Sequence, residues 1–187
     1  GRLRELRELH VNNNQITHLS LEIGELHQLR VLRINHNQLS ALPAEIGQLQ
    51  QLHELDMSWN RFTRLPAGLG ELRQLRKLYL WHNRIAVLPP EIMSLSDLQA
   101  LYLNSNQLTE LPARISDLQQ LRELDLHHNP LRHLPAELEQ LAQLRRLIID
   151  RQHLHRLPPA LLQRETLTIQ DEWNQLLSMD ERRAGVT

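Results

Sequence analysis

A sequence repeat with a period of 23 residues extends through most of this 187-residue chain and restricts the folds that the chain can adopt. Leucine occupies seven positions spaced at this step of 23 residues, from Leu9 to Leu147, and proline occupies six, from Pro43 to Pro158. Asparagine does so six times, at Asn14, Asn37, Asn60, Asn83, Asn106 and Asn129. The unit reads LxxLxxLxLxxNxLxxLPxxIxxL, and seven copies cover about residues 3–163. One such turn cannot bury its leucines alone, so we expect stacked turns that share a continuous core.

Each repeated position has a physical task. The alternation Leu78-x-Leu80 predicts a short strand in which every second side chain points into the core. The asparagine that follows has a donor and an acceptor, so we expect a buried asparagine ladder that satisfies backbone groups of neighbouring turns. The Leu-Pro pair ends the extended segment and fixes a bend. The pattern predicts parallel strands about 4.8 Å apart and almost no helix outside the C-terminus.

This unit resembles the leucine-rich repeat family, and within it the 23-residue LPxxIxxL subclass of Ras-suppressor-like and bacterial proteins. The resemblance implies an α/β solenoid of horseshoe shape, with one curved parallel sheet on the concave side, an irregular convex side and a C-terminal capping helix. It also implies a module that binds other proteins, without indicating which.

The C-terminal end departs from the repeat, as solenoid ends do. We expect residues 1–163 to form the seven repeats and residues 164–187 a shortened strand, a capping helix and a tail. The strand is predicted at 167–169, 20 residues after the equivalent segment 147–149. A helix is predicted from Asp171 to about Arg183. Its buried face would carry Trp173, Leu176 and Leu177.

Four of the six aromatic side chains are predicted on the open face of the sheet, whereas Phe62 takes a core leucine position. These four are Trp59, Tyr79, Trp81 and Tyr102. Tyr and Trp are enriched at binding hot spots, so we interpret the cluster as an interface centre with a polar rim. The predicted partner-binding residues are Asp56, Trp59, Tyr79, Trp81, His82, Tyr102, Asn104, Asp125 and His127. The alternative is cross-strand aromatic packing that only stabilises the sheet.

A second column lies just before each strand and is mostly arginine. It consists of Arg7, Arg30, His53, Arg76, Gln99, Arg122 and Arg145. We interpret it as solvated charge paired with Glu8, Glu54 and Glu123 of the next column, where exposed pairs contribute about 0–1 kcal/mol. The alternative is that an acidic segment of a partner lies along this edge.

The amino-acid composition and the absence of certain motifs argue against several classes of function. The net charge of −1 favours neither nucleic acid nor membrane. The absence of cysteine removes disulfide scaffolds and thiolate metal sites. The eleven histidines show no metal-ligand spacing, and no phosphate loop or nucleophile elbow is present. We therefore expect a cytoplasmic, monomeric protein- or peptide-binding module without cofactor, metal or enzymatic activity.

A second function remains open, namely the substrate-recognition arm of a larger enzyme. Bacterial effector ubiquitin ligases and repeat-bearing GTPases or kinases have such arms. The chain has 20 arginines but one lysine, Lys77, which indicates either a GC-rich bacterial coding bias or selection against lysine beside a ubiquitin ligase. The chain starts at Gly1 and no polar cap precedes Leu3, so we interpret it as a fragment. A delivered effector would act in the host cytoplasm.

Overall fold

The computed structural model describes residues 3–184, which form one open sheet of eight parallel strands in sequence order. Each strand has three residues. They are β1 Glu8–His10, β2 Val31–Arg33, β3 Glu54–Asp56, β4 Lys77–Tyr79, β5 Ala100–Tyr102, β6 Glu123–Asp125, β7 Arg146–Ile148 and β8 Thr168–Gln170. From β1 to β7 the register pairs residues 23 apart, such as Leu78 with Leu101. Equivalent side chains of adjacent repeats therefore lie side by side.

The core lies between the sheet and the convex side. Strand leucines such as Leu55, Leu78 and Leu101 are fully buried, and so is Phe62. Burying one such side chain contributes about 1.5–3 kcal/mol, and the contribution recurs in every turn. The leucine positions of the repeat unit thus form one continuous core.

The convex side is more regular than the sequence suggested, because each turn from the first to the seventh carries a short 3-10 helix. These helices are Leu21–Glu25, Ala44–Gln48, Ala67–Glu71, Pro90–Ser94, Ala113–Asp117, Ala136–Gln140 and Arg151–Arg156. Pro43 enters its helix in an extended conformation (φ −65°, ψ 149°), and its carbonyl accepts the N–H of Ile46 at 3.2 Å. The Leu-Pro pair therefore starts a helical turn as well as ending the extended segment.

Successive 3-10 helices approach closely at Gly47. A Cβ placed on Gly47 would lie 2.7 Å from the carbonyl oxygen of Gly68 in the next turn. We expect Gly47→Ala to lower the free energy of unfolding by about 1–3 kcal/mol, since the backbone must shift. Urea unfolding measures this, with the exposed neighbour Gln48→Ala as the control. Equal stability of the two variants would show that the helices have room to separate.

The C-terminal end differs from its prediction. Leu147 pairs with Ile169 of β8, so the last step is 22 residues and the expected step of 20 is wrong. The short helix α1 spans Pro159–Leu162, and α2 spans only Met179–Ala184. The predicted start of a helix at Asp171 is wrong, because its carboxylate accepts the N–H groups of Trp173 (3.0 Å) and Gln175 (2.8 Å) and holds a turn.

The apolar face expected on that helix is also absent. The side chain of Trp173 is 71% exposed and that of Leu176 is 67% exposed, so Trp173 is not part of a capping core. Leu177 is buried, and its N–H donates to the carbonyl of Ile169 at 2.9 Å. The last turn is therefore covered by an extended segment that folds back on β8, with an antiparallel bridge between Gln170 and Leu176.

Candidate protein-binding surface

The asparagine ladder fixes the carboxyl ends of the strands. The Asn83 side chain donates to the carbonyls of Met57 and Leu80, both at 3.0 Å, and accepts the N–H of Phe62 at 3.0 Å. It thereby joins two consecutive turns. The same pattern recurs at Asn37, Asn60, Asn106 and Asn129. Asn14 is exposed rather than buried, because no earlier turn lies against it in the described chain.

The residue just before each ladder asparagine has a left-handed backbone, with φ between 51° and 56°. These residues are Asn13, His36, Trp59, His82, Ser105 and His128. Asn adopts this conformation readily, whereas a bulky side chain such as that of Trp59 does so rarely. The chain turns away from the sheet here, at the carboxyl edge.

Ring side chains stack along this edge in an arrangement that we call the aromatic ridge, formed by His36, Trp59, Trp81 and His82. The ring centroids of Trp59 and His82 lie 3.9 Å apart, and those of His36 and Trp59 5.1 Å apart, with nearly parallel planes. Trp81 meets Trp59 edge-on at 6.0 Å. The Trp59 side chain remains 42% exposed. His36 is absent from the predicted site, although it shares a column with Trp59 and His82.

The two tyrosines form a separate pair within the sheet. The rings of Tyr79 and Tyr102 stack at 4.9 Å, as expected for equivalent positions on β4 and β5. The hydroxyl of Tyr102 donates to the Glu123 carboxylate at 2.8 Å. Burial, together with that hydrogen bond, raises the pKa of Tyr102. Within residues 3–184 no ring contact joins this pair to the aromatic ridge, so the expected single cluster is two neighbouring groups.

The polar residues predicted around the aromatic side chains have different roles. Asp56 accepts the backbone N–H (3.0 Å) and the hydroxyl (2.5 Å) of Ser58. Asp125 is buried, and one of its oxygens lies 2.6 Å from Nδ1 of His127. Asp125 is therefore not an accessible contact residue, but it orients His127. Asn104 is half-buried on the concave face.

Two histidines of this surface have opposite pKa shifts. Burial alone would lower the pKa of His127, but the hydrogen bond and charge of Asp125 outweigh burial and raise it. At His82 burial lowers the pKa, and the neighbouring His128, His127 and His36 add to the effect. His127 is thus favoured in its charged form and His82 in its neutral form.

We expect His127→Gln to be more destabilising at pH 5.5 than at pH 8.5. The folded-state pKa of His127 lies above the unfolded value near 6.5. Its stabilisation is therefore complete below about pH 6.5 and is lost as the pH rises through the folded-state pKa. Over this range the deficit of the variant should shrink by a few tenths to about 1 kcal/mol. Urea unfolding at both pH values checks this, with the exposed His133→Gln as the control. A deficit that grows towards pH 8.5 would contradict it.

At the opposite edge the five arginines of the column are exposed, and their expected pairing with the neighbouring glutamates is wrong. Glu54 instead pairs with Arg33 at 2.8 Å, and Glu123 with Arg146 at 3.6 Å. These partners lie in the strands themselves, where cross-strand neighbours are closer than the residue before the strand.

Two further observations concern the described part of the chain. No group of three or more His, Cys, Asp or Glu side chains in residues 3–184 is arranged to hold a metal ion. None of the helices in that range has the length and apolar character needed to cross a membrane.

Two family models match the sequence. One describes a leucine-rich repeat region and matches residues 1–86, and the other describes the leucine rich repeat and matches residues 73–131. This chain is a leucine-rich repeat protein. Both models describe repeat units, and the fold supplies the extended concave surface that solenoid proteins use for binding.

Three solved structures have the same solenoid over 89% of the leucine-rich repeat chain. A leucine-rich repeat protein of Leptospira interrogans has 33% identity and a TM-score of 0.80. The plant peptide hormone receptor RGFR1, solved in complex with RGF2, has 28% identity and a TM-score of 0.73. An internalin from Listeria monocytogenes, with 23% identity and a TM-score of 0.73, shows the fold alone. The chain spans 43%, 28% and 47% of these three structures, respectively. No curated protein is significantly similar in sequence.

Proposed function

We propose that this leucine-rich repeat protein binds a protein or peptide on its concave face, with the aromatic ridge and the tyrosine pair at the centre of the interface. The exposed stack of Trp59 between His36 and His82 carries the proposal. A flat, pre-ordered ring surface loses little side-chain entropy when a partner covers it, which is why Trp and Tyr dominate hot spots.

The backbone at Trp59 strengthens the argument. The equivalent residue of the first turn is Asn13, which suits the left-handed conformation that both share. Placing Trp there costs about 1–2 kcal/mol of backbone strain relative to a residue that adopts it readily. Trp59 is not part of the leucine core and is 42% exposed. A gain elsewhere, such as partner binding, would offset that strain.

The alternative of sheet packing applies better to the tyrosines than to the ridge. Tyr79 and Tyr102 are half-buried and bridge β4 and β5 directly. Trp59 and His82 lie beyond the ends of their strands and are exposed. Stabilisation of the sheet therefore accounts for part of the aromatic surface only, and the ridge is the part that binding explains.

A peptide is a suitable class of partner for this surface. The plant peptide hormone receptor with 28% identity is solved in complex with RGF2. An extended peptide crossing the strands would contact the ridge and the tyrosine pair together. We propose no nucleic acid, membrane or cofactor among the ligands, and a monomeric state.

Footprinting tests this proposal. Peptides selected from a random displayed library against the protein would be used as ligands, and amide hydrogen exchange would be followed in the free and bound states. We expect added protection at residues 56–59, 79–82 and 102–104. Protection confined to the 3-10 helices or to residues before the strands would refute the proposal.

The second candidate, a recognition arm of a larger enzyme, is favoured by one observation. Lys77, exposed on β4, is the single lysine beside 20 arginines, as expected for a chain selected to escape ubiquitination. We also propose that the chain belongs to the 23-residue LPxxIxxL subclass of Ras-suppressor-like and bacterial proteins, and that it acts in the cytoplasm of the producing cell or, for a delivered effector, of the host cell. The length and sequence of the full open reading frame around residues 1–187 discriminate between the two functions.

A further inference from the structure

The arginine edge consists of the exposed side chains of Arg7, Arg30, Arg76, Arg122 and Arg145, each just before a strand. None of the five forms an ion pair or a side-chain hydrogen bond within residues 3–184. Their backbone carbonyls are occupied in the ladder between turns, so the backbone holds each residue in place. In the part of the chain that the structure describes, the five guanidinium groups are left without partners.

This arrangement is unfavourable in the isolated protein. Arg7 and Arg30 occupy adjacent turns, and so do Arg122 and Arg145, at a separation of about 4.8 Å between strands. Like charges at such neighbouring positions repel each other. The nearby glutamates form no ion pair with these arginines, since Glu54 and Glu123 pair with Arg33 and Arg146, and Glu8 lies 3.5 Å from a ring nitrogen of His10. An external anion would relieve the repulsion.

The distances between three of these arginines indicate how the negative charges of such an anion would be spaced. Arg30, Arg76 and Arg122 precede β2, β4 and β6, every second strand, which places them about 9.6 Å apart. A polyproline II segment advances about 3.1 Å per residue and presents every third side chain on one face, about 9.3 Å apart. Carboxylates at every third position of an extended segment match these arginines, and each pair can be bidentate.

We propose that the arginine edge binds an acidic, extended segment of a protein partner, with carboxylates at every third residue facing Arg30, Arg76 and Arg122. This surface is separate from the concave aromatic site and does not depend on it. A polypeptide fits better than a nucleic acid. The protein has a net charge of −1, and none of the ring contacts within residues 3–184 involves a residue of this edge, so bases would find no stacking platform.

The test uses two fluorescein-labelled peptides, five repeats of Glu-Pro-Pro and five repeats of Gln-Pro-Pro, with fluorescence anisotropy at low and physiological salt. The glutamate peptide should bind the wild-type protein, more weakly at high salt, and the glutamine peptide should not. The triple variant Arg30→Gln, Arg76→Gln, Arg122→Gln should weaken binding at least about tenfold, since three charge-assisted contacts are lost. All three side chains are exposed, so an unchanged melting temperature verifies folding.

The matched control is Arg61→Gln, Arg64→Gln, Arg84→Gln, which removes the same charge from exposed arginines on the other side of the strands. It should change the affinity less than about twofold at physiological salt, where distant charges are screened. Equal losses of affinity in both triple variants would show that net charge alone causes the effect, and would overturn the proposal. So would binding of the glutamine peptide, absence of binding by the glutamate peptide, or tighter binding of a labelled oligothymidylate. Replacing Trp59 and Trp81 should leave binding of the glutamate peptide intact, which separates this surface from the concave site.

Discussion

Replacing Asn83 by alanine is expected to lower the free energy of unfolding by about 2–3 kcal/mol. The Phe62 N–H donates to Oδ1 of Asn83 and would be left buried without a partner. The carbonyls of Met57 and Leu80 each keep a second asparagine donor, so they contribute less to the loss. For a chain of this length the melting temperature should fall by roughly 5–10 °C. Thermal and urea unfolding followed by circular dichroism measure both quantities.

Asn14→Ala is the matched control, because Asn14 is the exposed end of the same ladder and donates only to nearby carbonyls. It should be destabilising by less than about 1 kcal/mol. Asn83→Asp provides a second comparison, since it keeps the acceptor for Phe62 but directs a carboxylate at two carbonyls. It should be at least as destabilising at pH 7 as Asn83→Ala. Asn83→Ala with wild-type stability would show that the ladder does not join the turns energetically.

Replacing Trp59 and Trp81 together by asparagine is expected to abolish most of the proposed concave binding. Asn13 and Asn12 occupy these positions in the first turn, so the change uses residues that the same backbone already accepts. Loss of a hot-spot stack should weaken a selected peptide by at least about 2 kcal/mol, roughly thirtyfold in Kd. Isothermal titration calorimetry gives the affinity, and the melting temperature should not fall, because asparagine relieves the backbone strain at residue 59.

The control for this variant is Val87→Ala on the convex side, where Val87 is 68% exposed and the equivalent residue of the second turn is Ala41. It should bind the peptide as the wild type does. If the tryptophan variant instead loses stability and keeps its affinity, the ridge is a structural element and the concave proposal fails. These two readouts separate binding from packing because Trp59 is 42% exposed and is not part of the leucine core.

The fold could be predicted almost entirely from the spacing of leucine, asparagine and proline. A constant step of 23 residues returns the chain to the same point of each turn, so Leu78 must pair with Leu101 and Tyr79 must stack on Tyr102. The prediction from this spacing failed at β8, where paired residues are 22 apart instead of 23. The prediction of a helix after Asp171 also failed. The apolar residues there have helical spacing, but the Asp171 carboxylate accepts two backbone N–H groups and forms a turn instead. A local hydrogen bond of this kind leaves no trace in periodicity.

The sequence by itself determined which residues share a column, because register follows from a constant number of residues per turn. Only the tertiary structure decided what the members of each column do. It stacked His36, Trp59 and His82 at left-handed positions, paired Glu54 and Glu123 within the sheet, and buried Asp125 beneath His127. Rotamers, ion pairs and burial depend on competition among several neighbours in space, and a one-dimensional spacing identifies those neighbours without ranking them.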